Sequence, residues 1–239
     1  GHEGSGVIEA VGEGVSSVSI GDHVIPIWRA SCGLCEYCLA GRPALCDMGT
    51  KMRFEGVMPD GTMRFKNSAG DFIRHYAGVS TFSSMSTMPE AAVVKIPKDC
   101  SFEHAALLGC GVITGVGAVT NAARIHPGST VAVFGVGGIG LNIVQGARLM
   151  SARQIIAVDI HASKEAKALE LGATHFVNAA ECDPVKAVKD LTGGRGVDYS
   201  FEAVGLTTPI EQAYDSLKKG GTCVIAGISR ADVRAQINV

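Results

Sequence analysis

No charge of one sign dominates this sequence: 21 lysines and arginines stand against 23 aspartates and glutamates, with a formal net charge of −2 and a pI of about 6.4. That balance excludes the broad basic field by which proteins hold nucleic acid or an anionic membrane, and leaves small molecules as the expected partners. An uninterrupted apolar span is also missing. The longest uncharged apolar stretch, Ala105 to Ala123, approaches the length of a membrane helix, but it carries four glycines, two threonines and an asparagine. Buried backbone is expected there instead. The chain does not open on a basic-then-apolar run, and Gly1-His-Glu-Gly4 reads as the middle of a domain, so a truncated start is expected. Repeats and low-complexity segments are absent too. What remains is a chain of 239 residues, 46% hydrophobic and 18% charged, with room for two ordinary domains around real cores.

The texture changes along the chain. Up to about Cys110 it is rich in Gly, Val, Ser and Pro, with short apolar runs at Ser5 to Val11 and His23 to Ile27. This predicts a compact all-β region with long loops. From Ser129 onward, apolar strands alternate with helical segments, the βαβ pattern of a doubly wound parallel sheet. Strands are expected at 130–134, 154–159, 175–178, 198–202 and 222–226, and helices near 138–150, 163–172, 184–192 and 207–218. Five strands are one fewer than such a sheet usually has, so a truncated end is expected as well. The predicted fold class is α/β, divided into domains at 1–111 and 112–239.

Four of the eight cysteines crowd into fifteen residues as Cys32, Cys35, Cys38 and Cys46. Four thiolates at this spacing can surround one tetrahedral zinc with bonds of about 2.3 Å, leaving no position open for chemistry, so a structural zinc is expected. An iron–sulfur cluster shares the spacing of the first three cysteines. A zinc ribbon gripping nucleic acid is disfavoured, because only Arg29 and Arg42 are basic between Trp28 and Thr50. Thiols kept for a metal point to a reducing cytoplasm.

Gly135-Val-Gly137-Gly138-Ile139-Gly140 follows the apolar strand Val131 to Phe134 and opens a helix. In that context the first glycine makes the tight turn, the second lets backbone approach a pyrophosphate, and the third permits close helix packing. Asp159, nineteen residues after Gly140, ends the next strand where a carboxylate can accept from ribose hydroxyls, favouring NAD over NADP. The plainer alternative for Asp159 is a helix cap.

His2 beside Glu3, and Cys110 in the run Gly109-Cys-Gly111, are unremarkable singly. Nitrogen and sulfur ligands at a domain junction nevertheless suit a catalytic zinc with an open position. Together with Gly21-Asp-His-Val-Ile-Pro26, Ser80-Thr-Phe-Ser83, the cysteine loop, the glycine turn and Ser200-Phe-Glu202, they occur in an order that resembles the zinc-containing medium-chain dehydrogenase/reductases, especially the liver-type alcohol dehydrogenase branch. The resemblance implies a GroES-like catalytic domain followed by a Rossmann domain, and oxidation of an alcohol to an aldehyde or ketone with zinc and NAD.

By resemblance, His2 and Cys110 ligate the catalytic zinc and Glu3 tunes it, while a further cysteine ligand and the proton relay lie upstream. The chain as it stands is therefore expected to be catalytically crippled. Thr114 and Ile139 are expected to flank the nicotinamide and Lys164 to lie near the adenosine ribose. The resemblance also implies that Trp28, Tyr76 and Ala77 wall the substrate pocket, with Trp28 narrowing it and Ala77 widening it. Family enzymes are homo-oligomers. The nearest enzymatic alternative is a glutathione-dependent formaldehyde dehydrogenase, whose carboxylate-holding arginine is matched here by Thr50, with Arg53 close by. A dinucleotide-binding pseudoenzyme is the alternative outside catalysis.

Overall fold

The computed structural model describes residues 1–237, which divide into two compact units, the first Gly1–Cys110 and the second from Gly111 onward. In the first unit, β1 (Gly6–Val7), β2 (His23–Pro26) and β5 (Val93–Lys95) form an antiparallel sheet in the order β1-β2-β5, while β3 (Phe65–Lys66) and β4 (Phe72–Ile73) form a separate hairpin. Lys95 pairs with Asp22 at 2.7 Å and so staples the last strand to the residue before β2.

This unit is not all β. A four-residue helix α1 (Glu36–Leu39) and a nine-residue helix α2 (Asp47–Glu55) interrupt it. Asp47 in the first turn of α2 and Arg53 in the last complement the helix dipole. Gly56, with φ of 66°, ends the helix in the left-handed conformation and donates to the Met52 carbonyl. Gly49 hid this helix from pattern reading because glycine weakens a helical prediction. The fold requires it there: a Cβ on Gly49 would lie 2.3 Å from the Ala30 carbonyl oxygen. The core beneath is small, comprising Ala30, Met52, Val79 and Ala92, with a second group of Ile25, Ile96 and Ala105.

The second unit carries the expected parallel sheet: β6 (Thr130–Phe134), β7 (Gln154–Asp159), β8 (His175–Asn178), β9 (Val197–Glu202) and β10 (Leu217–Ile225), ordered β10-β9-β6-β7-β8. Alternate residues of β6 feed opposite faces. Val131 and Val133 pack with Ile143, Val144, Ala147 and Phe201, whereas Ala132 and Phe134 pack with Ile156, Val158, Val188 and Ala213. β10 begins five residues before the expected strand, Leu217 pairing with Val197, because the register slips between Leu217 and Thr222 where Gly220 adopts a φ of 74°. The covering helix at 207–215 is correspondingly shorter than expected.

The stretch expected to be buried backbone is instead a helical run over 102–123, formed by α3 (Phe102–Leu107), a π-helical turn (Leu108–Val112), α4 (Ile113–Gly117) and a second π-helical turn (Ala118–Ala123). By length and composition it is the one described helix able to cross a membrane. Its small residues Ala105, Gly109, Gly115 and Ala118 are buried with Val119, while Leu107, Leu108 and Ile113 are exposed. Small side chains let the helix approach its neighbours closely, which turns the larger ones outward.

Candidate active site

His2 and Cys110 meet within the first unit although 108 residues separate them: His2 Nε2 lies 3.1 Å from Cys110 Sγ. Donors sharing a tetrahedral zinc stand roughly 3.5 Å apart, so the pair needs to open only slightly to admit one. Two local devices hold it. The segment at Gly1–Gly4 runs along Thr81 and Phe82, with Thr81 N–H donating to the Gly1 carbonyl at 2.9 Å and its hydroxyl to the Glu3 carbonyl at 3.2 Å. Cys110 projects from the first π-helical turn, whose Gly109 packs so closely that a Cβ would fall 2.7 Å from the Pro26 carbonyl oxygen. Such turns concentrate at functional sites.

Aromatic rings frame His2. Trp28 meets it edge-on at 5.6 Å between centroids and Tyr76 stacks on it at 5.8 Å. Ala77, beside Tyr76, is buried in a left-handed conformation with φ of 51°, and Ser80 shares that conformation while its hydroxyl accepts from the Tyr76 N–H. The two expected aromatic walls and the expected histidine therefore form one cluster. Trp28 brings company that sequence reading did not place. The Arg29 guanidinium carbon lies 4.3 Å from the indole centroid and that of Arg53 lies 5.4 Å from it.

The four loop cysteines converge, their sulfurs all within 4.8 Å of one another. A tetrahedron with bonds of about 2.3 Å has edges of roughly 3.8 Å, so a modest contraction suffices. Backbone N–H groups are aimed at sulfur: Leu34 and Cys35 donate to Cys32 at 3.4 and 3.3 Å, and Cys32 donates to Cys46 at 3.2 Å. The N–H groups of Leu34 and Cys35 hold the Cys32 thiol below its usual range, and those of Cys38 and Asp47 do the same for Cys35. Burial raises Cys46, but donors from Gly49 and Cys32 outweigh it, whereas burial pushes Cys38 up to about 12. Three thiols disposed to ionise around a fourth fit a divalent, thiophilic cation. This is the only group of three or more metal-type ligands among the described residues. No disulfide occurs among them.

In the second unit the glycine turn joins β6 to α5 (Gly138–Leu149). Gly135 has φ of 85°, which a side chain would strain, and a Cβ on Gly140 would lie 1.8 Å from the Gly135 carbonyl oxygen. Gly137 and Gly138 face open space, leaving the helix N-terminus accessible. The sheet order reverses between β9 and β6, so the turn opens onto the crevice where doubly wound sheets take ligands. α4 crosses this point closely, since a Cβ on Gly115 would meet the Ile139 carbonyl oxygen at 2.7 Å. Thr114 precedes Gly115 in α4.

Asp159 is buried and already engaged. One oxygen accepts from the Val136 N–H at 2.9 Å and from Lys164 Nζ at 2.8 Å, and the other from the His161 N–H at 3.0 Å. Burial alone would raise its pKa, but Lys164 and the two N–H donors bring it below the usual carboxylate range. The following helical turn begins at Ala162 and is capped by His161 without a side-chain bond, so Asp159 anchors the glycine turn rather than capping a helix. A carboxylate offers about four acceptor sites, so one remains for a ligand hydroxyl. Glu202, at the end of β9, was not anticipated as a separate contributor. It is fully buried and receives the Val204 and Gly205 N–H groups at 2.7 Å, fixing the loop against Gly135. A cavity of about 380 Å³ opens at the other end of the sheet, by Thr130, Gln154 and Asp198, away from this crevice.

Known proteins carry the same features. Residues 1–98 match the alcohol dehydrogenase GroES-like domain and residues 138–239 match the zinc-binding dehydrogenase domain. An S-(hydroxymethyl)glutathione dehydrogenase from Synechocystis sp. is 46% identical over 97% of the chain and 63% of its own length. An alcohol dehydrogenase zinc-binding domain protein from Burkholderia ambifaria superposes with a TM-score of 0.93 at 40% identity, over 99% of the chain and 64% of that structure. Benzyl alcohol dehydrogenase from Acinetobacter calcoaceticus superposes with a TM-score of 0.88 at 35% identity, over 100% and 64%. The chain thus spans somewhat under two thirds of the relatives it matches.

Proposed function

This chain belongs to the zinc-containing medium-chain alcohol dehydrogenase family, and from that premise we propose that it supplies the metal, pocket and cofactor residues of an enzyme oxidising an alcohol to an aldehyde or ketone with NAD. The observation that carries the reading is the meeting of His2 and Cys110 beside Trp28 and Tyr76. Zinc would supply a Lewis acid that favours loss of the alcohol proton, and NAD would supply the hydride acceptor.

The chain's own residues do the rest. His2 and Cys110 present a nitrogen and a sulfur donor on one side, with Glu3 adjacent in sequence. Trp28 and Tyr76 exclude water and orient an apolar substrate end, while the small Ala77 leaves room beside them. The turn Gly135 to Gly140 presents backbone N–H groups to a pyrophosphate. Asp159 and Lys164 receive the adenosine ribose, and Thr114 with Ile139 borders the nicotinamide. Cys32, Cys35, Cys38 and Cys46 hold a second zinc that shapes their loop and takes no part in chemistry. Thiols kept for a metal suit a cytoplasmic protein, and the near-neutral charge supports a small-molecule partner over nucleic acid. Homo-oligomerisation follows the family.

Zinc content and turnover test this together. In the full-length protein, either His2→Ala or Cys110→Ser should release the more weakly held zinc and abolish NAD-linked oxidation of benzyl alcohol, with the cysteine-bound zinc retained. Full zinc content and activity in both variants would defeat the reading. The second reading, oxidation of S-(hydroxymethyl)glutathione, is favoured by the identity to the Synechocystis relative. Thr50 stands where the resemblance expects an arginine, but Arg53 is one helical turn further along α2. Comparing kcat/KM for S-(hydroxymethyl)glutathione and benzyl alcohol separates the two.

A further inference from the structure

The cavity of about 380 Å³ at the amino ends of the parallel strands lies wholly within the second unit, at the opposite end of the sheet from the glycine turn. Thr130, Gln154, Asp198 and Lys218 line it from the first or second positions of β6, β7, β9 and β10. The loop Thr192–Gly196 closes one side, and its course is fixed. Gly193 and Gly196 adopt φ of 64° and 88°, and a Cβ on Gly196 would lie 2.5 Å from the Ser216 carbonyl oxygen. The Thr192 hydroxyl ties the loop together by accepting from the Gly196 N–H at 3.0 Å.

The acceptors that could repel an anion from this cavity are already occupied. Lys218 pairs with one oxygen of Asp198, and the other oxygen accepts the Thr130 N–H and hydroxyl, each at 2.7 Å. The carbonyls that end the helix Pro184–Leu191 carry partial negative charge. Each has its own donor: the Thr192 hydroxyl for Val188 at 2.9 Å, the Gly194 N–H for Lys189 at 2.8 Å, the Gly193 N–H for Asp190 at 3.3 Å and the Gln154 amide for Leu191 at 3.1 Å. Two guanidinium groups remain in the lining, those of Arg153 and Arg195. Neither makes an ion pair among the described residues, and the Arg153 Nε donates to the Gly128 carbonyl at 3.3 Å, which leaves its two Nη groups for a ligand. Once Asp198 is paired with Lys218, the lining carries a surplus of two positive charges. A phosphate group carries about −1.5 to −2 at pH 7 with several acceptor oxygens, so it matches both charge and forked donors, whereas a monocarboxylate leaves one guanidinium unmatched. The volume suits a small ligand, at the low end of the range of about 300 to 1,000 Å³ for such sites. We propose that this cavity is a second ligand site, which takes a small phosphate-bearing anion between Arg153 and Arg195.

The test uses the full-length, zinc-loaded protein with NAD saturating, so that the glycine turn is filled and only a separate site can respond. Glycerol 3-phosphate, inorganic phosphate and acetate are titrated by calorimetry at about 20 mM salt. Both phosphates should bind with a Kd below about 1 mM, and acetate at least about tenfold more weakly. Because the second ionisation of phosphate lies near pH 6, affinity should fall about threefold or more between roughly pH 7.5 and 5.5. Arg153→Gln and Arg195→Gln should each weaken phosphate binding about tenfold while NAD affinity is unchanged. Both side chains are exposed, so these replacements leave the core intact. Lys186→Gln removes an exposed charge outside the cavity and should change nothing. Tighter binding of glycerol 3-phosphate than of inorganic phosphate identifies the ligand as a phosphate ester, and the reverse order identifies the free ion; either upholds the site. Binding seen only without NAD, affinity for acetate equal to that for phosphate, or no saturation below about 10 mM overturns it. So does phosphate affinity unchanged in both arginine variants, or lowered as much by Lys186→Gln.

Discussion

The two units solve the problem of stability in different ways. The second stacks a five-stranded parallel sheet between two apolar layers, with Val131, Val133, Phe134, Ile143, Ile156 and Phe201 almost wholly buried. The first has strands of two to four residues, and its two small cores rest on residues such as Ala30, Met52 and Ile25. Apolar burial of the second kind is self-sufficient, whereas a loop-rich unit with little core depends on other constraints. The converging thiols of Cys32, Cys35, Cys38 and Cys46 are the obvious one. A cofactor site can be built on a rigid sheet edge, while a metal centre can itself organise loops.

The sharpest way to break this comparison is to remove metal. Chelation, or Cys46→Ser at the buried ligand, should destabilise the first unit by several kcal/mol, against apparent contributions of about 10 to 16 kcal/mol in small zinc domains. Hydrogen exchange should show deprotection confined to residues before Gly111. Uniform deprotection, or none, would remove the contrast. The converse is Phe201→Ala, expected to cost the second unit about 3 to 5 kcal/mol in chemical denaturation while zinc content stays unchanged.

A smaller effect comes from acid. Asp198 is partly buried, which opposes ionisation. Lys218 and the Thr130 N–H and hydroxyl nevertheless bring its pKa down to about 2. Because this is below the unfolded value near 3.9, its stabilisation of the second unit, about 2 kcal/mol, is complete above that value and drains as pH falls towards 2. Asp198→Asn should flatten that part of the stability–pH curve, and an unchanged slope would mean the ion pair does not form in solution. The smallest expected change is in cofactor choice. Asp159→Ala should weaken NAD binding about tenfold and narrow the preference over NADP, because it removes a ribose acceptor and the anchor of the Val136 N–H together. Equal efficiency with NAD and NADP before substitution would place Asp159 as an anchor alone.

Some of these features are local and so were legible in the sequence. The cysteine spacing lies within fifteen residues, and the glycine turn needs only its own strand and helix. The strands of the second unit follow from apolar runs bounded by turns, and β6 to β9 occur where those runs stand, whereas β10 starts five residues before its run. The helix at Asp47–Glu55 was hidden because Gly49 answers to the Ala30 carbonyl rather than to helix propensity. The helical run at 102–123 was read as buried because composition does not say which side of a helix is covered.

The sequence by itself determined the chemistry available: which residues can bind a metal, which turn can approach a phosphate, and which strands alternate with helices. These depend on side-chain type and on spacings of a few residues, both of which a linear text preserves. Only the tertiary structure decided that His2 and Cys110 are 3.1 Å apart and that Asp159 spends three of its acceptor sites on the glycine turn, Lys164 and the His161 N–H. It alone decided that Arg29 and Arg53 flank one indole. Each of these depends on chain segments brought together by packing, and packing is a property of the whole unit that no short stretch of sequence encodes.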